Sequence, residues 1–154
     1  MDIGNFLDRA AVAPRLSAGD KRHALQLAAE VATRGLGVPA GPVFEALSAR
    51  EAVGSTGVGQ GVAVPHAHVP QLQRVRGAFL KLDHPIDFGA LDDQPVDLIF
   101  VLLSPDGAAP EHLRALARVT RLLRNARVRD QLRRARTVDA LHALLAQEAH
   151  ASAA

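Results

Sequence analysis

At 154 residues and 16.3 kDa the chain is one domain long; 48% hydrophobic against 22% charged residues excludes a disordered chain, and no run reaches the ~18 apolar residues of a membrane span. The lack of Cys excludes a disulfide framework, Cys-ligated zinc, iron–sulfur clusters and a thiol nucleophile, while the opening Met1-Asp2-Ile3-Gly4-Asn5 lacks the pattern of an export signal, so a cytoplasmic address is expected. A pI near 9.9 suggests a nucleic-acid partner, but the formal net charge is only +2, so any basic surface must be local.

The stretch from Asp20 to Arg34 predicts the first helix. Ala24, Leu25, Leu27, Ala28, Val31 and Ala32 recur at helical spacing, Ser17 and Asp20 are start signals, and Gly35 is the stop. Pro42 to Ala52 reads as a second helix, with Val43, Phe44, Ala46 and Leu47 on one side, Gly54 ending it and Arg50 in its last turn. From Gly54 the texture changes: Gly57, Gly59 and Gly61 alternate, reading as a flexible turn that delivers the short strand Val62-Ala63-Val64-Pro65. Val75 to Leu82 and Val96 to Leu103 are rich in branched and apolar residues. The second, bounded by Pro95 and Ser104-Pro105-Asp106-Gly107, has the character of a strand buried on both faces.

Beyond Pro110 a helical run extends to about Asn125, followed by Val128 to Arg136 and by Val138 to Ala146 with Thr137 as N-cap. Helices, then strands, then helices predict an α/β fold: a mixed β-sheet flanked by helices on both faces. The single domain is expected over residues 3–147, with a flexible Ala-rich tail at 148–154. Residues 111–136 hold nine Arg against Glu111 and Asp130, so this stretch carries +7 and the remainder −5. Arg outnumbers Lys sixteen to two along the whole chain, and the five Phe are scattered and offer no stacking platform. The Arg-rich helices therefore read as a solvated basic face, with a nucleic-acid-binding module as the rival.

Seven His in a chain without Cys direct attention to imidazole chemistry. His23, His84, His142 and His150 read as ordinary surface or helix residues. His66 differs, because a Gly-rich turn, a short apolar strand and the restrained backbone of Pro65 precede it, a setting that holds a side chain rigidly at a strand end. With Pro110 as first helical residue, His112 is the third, where backbone N–H groups are unpaired and anions are attracted. His112, Leu116, Val119 and Leu123 share one stripe, opposite Arg114, Arg118 and Arg121. His112 thus points inward, as a site residue or as a core histidine bonded to a carbonyl. The glycine series matches neither the dinucleotide fingerprint nor the P-loop, since it leads into a strand and no Gly-Lys-Ser/Thr follows. His66 and His68 alternate on extended backbone and could bind zinc with His112 or Asp97 as third ligand, which keeps a zinc hydrolase as a second rival.

The stretch Ser48-Ala49-Arg50-Glu51-Ala52-Val53-Gly54-Ser55-Thr56-Gly57-Val58-Gly59-Gln60-Gly61-Val62-Ala63-Val64-Pro65-His66 resembles the active-site segment of the type 2 (fructose/mannitol) enzyme IIA family of the phosphoenolpyruvate-dependent sugar phosphotransferase system. Pro85-Ile86-Asp87-Phe88, Asp92 to Phe100, and Glu111-His112-Leu113 opening a helix through Leu122-Leu123 carry the similarity across residues 3–147. The chain is most similar to the nitrogen-type members, because it holds one IIA domain with no attached sugar-specific IIB or membrane IIC part. The resemblance implies an intracellular phosphoryl carrier and regulator. A histidine phosphocarrier protein, charged from phosphoenolpyruvate by a nitrogen-type enzyme I, would phosphorylate it on His66. Its targets would be transporters, kinases or metabolic enzymes; the alternative is a free-standing fructose- or mannitol-specific IIA that passes phosphate to a IIB domain.

The resemblance further implies a phosphohistidine-bearing phosphotransferase component rather than an enzyme turning over a small molecule. Metal, organic cofactor, nucleic acid and membrane insertion are not required. Nε2 of His66 would be the nucleophile, with Nδ1 held by a hydrogen bond. Arg50, His112 and the donors of the turn from Ser55 through Thr56 to Gln60 would give the phosphoryl group positive surroundings. Two departures stand out: Ala67 replaces the usual Gly after the active His, with ordinary backbone expected there, and His68 takes the place of a Lys or Arg, giving a pH-dependent positive charge.

Overall fold

The computed structural model describes residues 2–147, so the tail expected at 148–154 lies outside the described residues. A 3-10 turn, Ile3–Asn5, leads into strand β1 (Leu7–Leu16), helices α1 (Lys21–Leu36) and α2 (Ala40–Val53), and three short strands, β2 (Gly57–Gly59), β3 (Val62–Ala63) and β4 (His66–His68). The long strands β5 (Arg76–Ile86) and β6 (Val96–Ser104) follow, then helices α3 (Ala109–Leu123), α4 (Ala126–Arg134) and α5 (Val138–Leu145). Among the described residues no helix is long and apolar enough to cross a membrane.

The sheet is mixed, as expected: its order is β1-β5-β6-β3-β2, with β4 also paired to β6. β5 runs antiparallel to β6, whereas β3 and β4 run parallel to β6 and β1 runs parallel to β5. The two-sided burial anticipated for β6 follows from its alternation: Leu98, Phe100 and Leu102 enter the core under α3, α4 and α5, while Ile99, Val101 and Leu103 enter the core under α1 and α2. Each fully buried side chain of this size contributes roughly 1.5–3 kcal/mol, so β6 anchors both layers.

Several elements differ from the expectation. α1 starts at the anticipated Asp20, whose carboxylate accepts the His23 N–H at 2.8 Å, but it runs through Gly35 and stops at Gly37, where φ is 74°. Gly35 is a packing residue instead: a Cβ there would lie 2.6 Å from the Ala11 Cβ of β1. β1 itself was not anticipated. Its pairing with β5 shifts register between Leu7 and Val12, which breaks the period of two, and Pro14 and the three exposed charges of Asp8, Arg9 and Arg15 suit it to the sheet edge it occupies.

The glycine series is a hairpin rather than a flexible turn. β2 and β3 pair antiparallel, and Gln60 and Gly61, with φ of 60° and 79°, supply the two left-handed residues that a tight two-residue connection requires. Asp92 accepts the Gln60 N–H, and Arg133, ion-paired to Asp97, donates to the Gln60 carbonyl. Asn125 and Thr137 cap α4 and α5. The basic face is smaller than read: Arg118 is buried and donates to the Gln147 carbonyl, and Arg129 closes the end of α3 at the Leu123 and Arg124 carbonyls.

Candidate functional site

Arg50 in the last turn of α2, His66 in β4 and His112 in the first turn of α3 meet at the C-terminal end of β6. Parallel pairing of His66, Ala67 and His68 with Leu102, Leu103 and Ser104 fixes β4 there. Alternation then sends both imidazoles to the α3 side and the Ala67 methyl into the core under α1 and α2. The His112 ring centroid lies 5.3 Å from that of His66 and 6.2 Å from that of His68. Ala67 has ordinary strand backbone, outside the left-handed region, as expected at this departure from the family pattern.

The two nitrogens of His66 are set apart by their neighbours. Nδ1 lies 2.9 Å from the Val64 carbonyl, which can only accept, so Nδ1 carries the proton. Nε2 therefore holds the lone pair and accepts from Arg50 Nε at 3.2 Å. Arg50 Nη1 donates to the Gly54 carbonyl at 2.8 Å, so the guanidinium is tied down while it faces the ring.

His112 Nδ1 is bonded to the hydroxyl of Ser104, which is fully buried at the end of β6. Partial burial lowers the His112 pKa below the ordinary histidine value, and positive charge on the neighbouring His66 or His68 ring, where either is protonated, lowers it further. This shift favours the neutral imidazole at His112. Its backbone N–H is also not free: α3 begins at Ala109, and His112 N donates to the Ala108 carbonyl at 2.9 Å.

The other residues expected at the site are placed less directly. The Ser55 hydroxyl donates to the Phe88 carbonyl at 2.8 Å and accepts from Gly57 N at 3.0 Å. Thr56 is buried, and both its N–H and its hydroxyl are bonded to the Glu51 carboxylate. Both residues line the His66 cleft, but their side-chain hydroxyl protons are committed to these bonds. Gln60 is not brought to His66; it lines a second cleft between the hairpin and α3–α4, beside Leu123, Arg124 and Arg129.

The cleft at His66 has a volume of about 450 Å³, with Arg50, Val64 and His66 on one side and Leu113, Leu116, Ala117 and Thr120 of α3 on the other. Val58 and Leu113 are exposed on its margin, at 53% and 64%. Sequence reasoning missed Glu51, Lys21 and Ser104. Glu51 could have been found, since it continues the i, i+4 stripe of buried Val43 and Leu47. Although His66, His68 and His112 are neighbours, no group of three or more His, Asp or Glu among the described residues is arranged to hold a metal ion.

The family model for the phosphoenolpyruvate-dependent sugar phosphotransferase system, EIIA 2, matches residues 5–148. A nitrogen regulatory protein of Bradyrhizobium diazoefficiens is 44% identical over 146 residues, 95% of each chain. The crystal structure of nitrogen regulatory protein IIA-Ntr from Neisseria meningitidis shares 34% identity and a TM-score of 0.87, covering 93% of this chain and 98% of that one. Enzyme IIA mannitol of Escherichia coli, solved in complex with phosphorylated enzyme IIB mannitol, shares the fold at 22% identity and a TM-score of 0.76, over 92% of this chain and 99% of that one. With this match along nearly its whole length, the chain belongs to the type 2 enzyme IIA family of the phosphoenolpyruvate-dependent sugar phosphotransferase system.

Proposed function

We propose that this chain is a nitrogen-type enzyme IIA: a phosphoryl carrier, charged on Nε2 of His66 by a histidine phosphocarrier protein, that regulates target proteins according to its phosphorylation state. The observation that carries this reading is the division of labour on one imidazole, with Nδ1 protonated against the Val64 carbonyl and Nε2 presented with its lone pair to Arg50.

In the forward step the lone pair of Nε2 forms a P–N bond while the P–N bond to the phosphocarrier histidine breaks. No proton has to move. The ring becomes cationic, and the Nδ1–H bond to the Val64 carbonyl becomes a stronger, charge-assisted one. Phosphoryl transfer passes through a loose transition state with charge on three oxygens, so the site acts by alignment and by donors. Arg50 releases Nε2 and turns its planar fork to the phosphoryl oxygens, still tethered at the Gly54 carbonyl. His112 offers a neutral N–H from Nε2, with Nδ1 occupied by Ser104. Ser55 and Thr56 shape the turn, and Gln60 sits outside the reacting group's reach.

The exposed Val58 and Leu113 beside the nucleophile give an apolar margin on which a partner can seat. The mannitol relative, solved with its phosphorylated IIB, illustrates such an encounter for that protein. The nitrogen-type assignment rests on the 44% identity to a nitrogen regulatory protein over 95% of both lengths. The test is incubation with phosphoenolpyruvate, enzyme I and the phosphocarrier, followed by intact mass. A gain of one acid-labile, base-stable phosphoryl group is expected, absent from a folded His66→Ala variant; a label retained in that variant would exclude His66 as the nucleophile.

A further inference from the structure

Among the described residues Glu51 is the one buried acidic side chain, at 7% exposure; it lies behind Thr56, which lines the His66 cleft, and the phosphoryl-transfer steps do not use it. A carboxylate leaves water only where charge and hydrogen bonds replace its solvation. Here Lys21 Nζ of α1 lies 2.8 Å from Oε1, and Thr56 donates its backbone N–H, 3.1 Å from each oxygen, and its hydroxyl. The Lys21 ammonium also sits 4.8 Å over the Phe88 ring, and the Phe88 carbonyl takes the Ser55 hydroxyl. The turn after α2 is thus held by its carboxylate on one side and by the Phe88 segment on the other.

Two short paths lead from this anchor to the reacting groups. Along the first, the Thr56 carbonyl accepts Val64 N at 3.0 Å, and the Val64 carbonyl is the acceptor that keeps the proton on Nδ1 of His66. Along the second, the Glu51 backbone carbonyl accepts Gly54 N at 3.2 Å, and the Gly54 carbonyl tethers Arg50. Glu51 makes no hydrogen bond to His66 or Arg50; its carboxylate joins the first path through Thr56, and its main-chain carbonyl, in the turn that this carboxylate braces, begins the second.

We infer that Glu51 is a positioning residue of the His66 site, whose buried carboxylate holds the turn that sets the His66 tautomer and the aim of Arg50. The part of this inference that concerns transfer rate rests on the phosphoryl-carrier reading above; the part that concerns the tautomer does not.

Glu51→Gln keeps the size of the side chain but removes the charge that Lys21 needs and presents amide hydrogens to groups that already donate. The experiment compares wild type, E51Q, Thr56→Val and a control, Val128→Ala, which trims a buried side chain of α4 away from the turn. Imidazole ¹⁵N shifts in the unphosphorylated proteins report the His66 tautomer, and labelling kinetics report transfer. Wild type and V128A should show the Nδ1–H form, and V128A should label at the wild-type rate despite a lower Tm. E51Q should shift His66 toward the Nε2–H form and label about 10- to 100-fold more slowly, the scale expected of a misplaced reacting group. T56V, which removes one donor and retains the backbone bond, should shift in the same direction by less.

Unchanged ring shifts in both E51Q and T56V would overturn the inference, whatever happens to Tm; if E51Q does not fold, T56V decides. Should wild type itself fail to label, the phosphoryl-carrier reading falls, and the tautomer of the variants still decides the role of Glu51.

Discussion

Arg50 divides its guanidinium between two acceptors, the Gly54 carbonyl at Nη1 and the His66 lone pair at Nε. It also sits in the last turn of α2, where any cation favours the helix dipole, so structure and chemistry are separable here. Arg50→Lys keeps the charge but gives up part of the hydrogen bonding of a half-buried guanidinium, so stability should fall by no more than about 0.5–1.5 kcal/mol, the net worth of one such bond. An ammonium cannot hold the Gly54 carbonyl and two phosphoryl oxygens together, so labelling should slow; a wild-type rate would reduce Arg50 to a helix-end residue. His112 carries a pH signature. Its proton is held below the ordinary value of 6.5, so as pH falls through that value the unfolded chain binds more protons than the folded one, and stability through this group is lost in acid and regained as pH rises. Melting temperature should therefore fall on acidification, and His112→Gln should flatten part of that slope; identical slopes would contradict the half-buried, neutral imidazole. His66 and His112 stood out in the sequence because each closely follows a proline at the start of an element, whereas Arg50 was marked only as a helix-end residue and entered the site through the family resemblance. The remoteness of Gln60 was not, since it depends on a hairpin turn and on Asp92 and Arg133, which lie far along the chain.

Helix α1 shows how far local signals reach. Asp20 marks its start correctly because an N-cap is a local hydrogen bond, whereas Gly35 misleads because its reason is a tertiary contact with Ala11 of β1. Elsewhere in a helix, Gly→Ala stabilises by roughly 1 kcal/mol. Here the new methyl would meet the Ala11 Cβ and backbone at 2.6–2.7 Å, so Gly35→Ala should instead destabilise, by about 1–3 kcal/mol as overpacking does. Urea unfolding measures the sign; a stabilised variant would show that α1 and β1 do not pack this closely. The same pairing explains why β1 escaped notice: a strand with a register shift, a proline and charged neighbours at a sheet edge carries no period of two. β5 and β6 were legible because continuous apolar runs are what two-sided burial demands.

At the scale of the whole molecule, β6 joins two cores, and the site lies where its C-terminal end meets α2 on one face and α3 on the other. This placement lets one rigid strand hold Ser104 behind His112 and pair with β4 under His66. Of the Arg-rich helices, Arg118, Arg129 and Arg133 spend their charge on the Gln147, Leu123, Arg124 and Gln60 carbonyls and on Asp97, within the fold itself. The central claim is that Nε2 of His66 carries the phosphoryl group. Its most direct test is ³¹P–¹⁵N NMR of the protein labelled with ¹⁵N-histidine and charged from phosphoenolpyruvate through enzyme I and the phosphocarrier. The account predicts a single P–N coupling, to Nε2 of His66, with Nδ1 still protonated. Coupling to Nδ1 of His66, or to a nitrogen of His68 or His112, would contradict it.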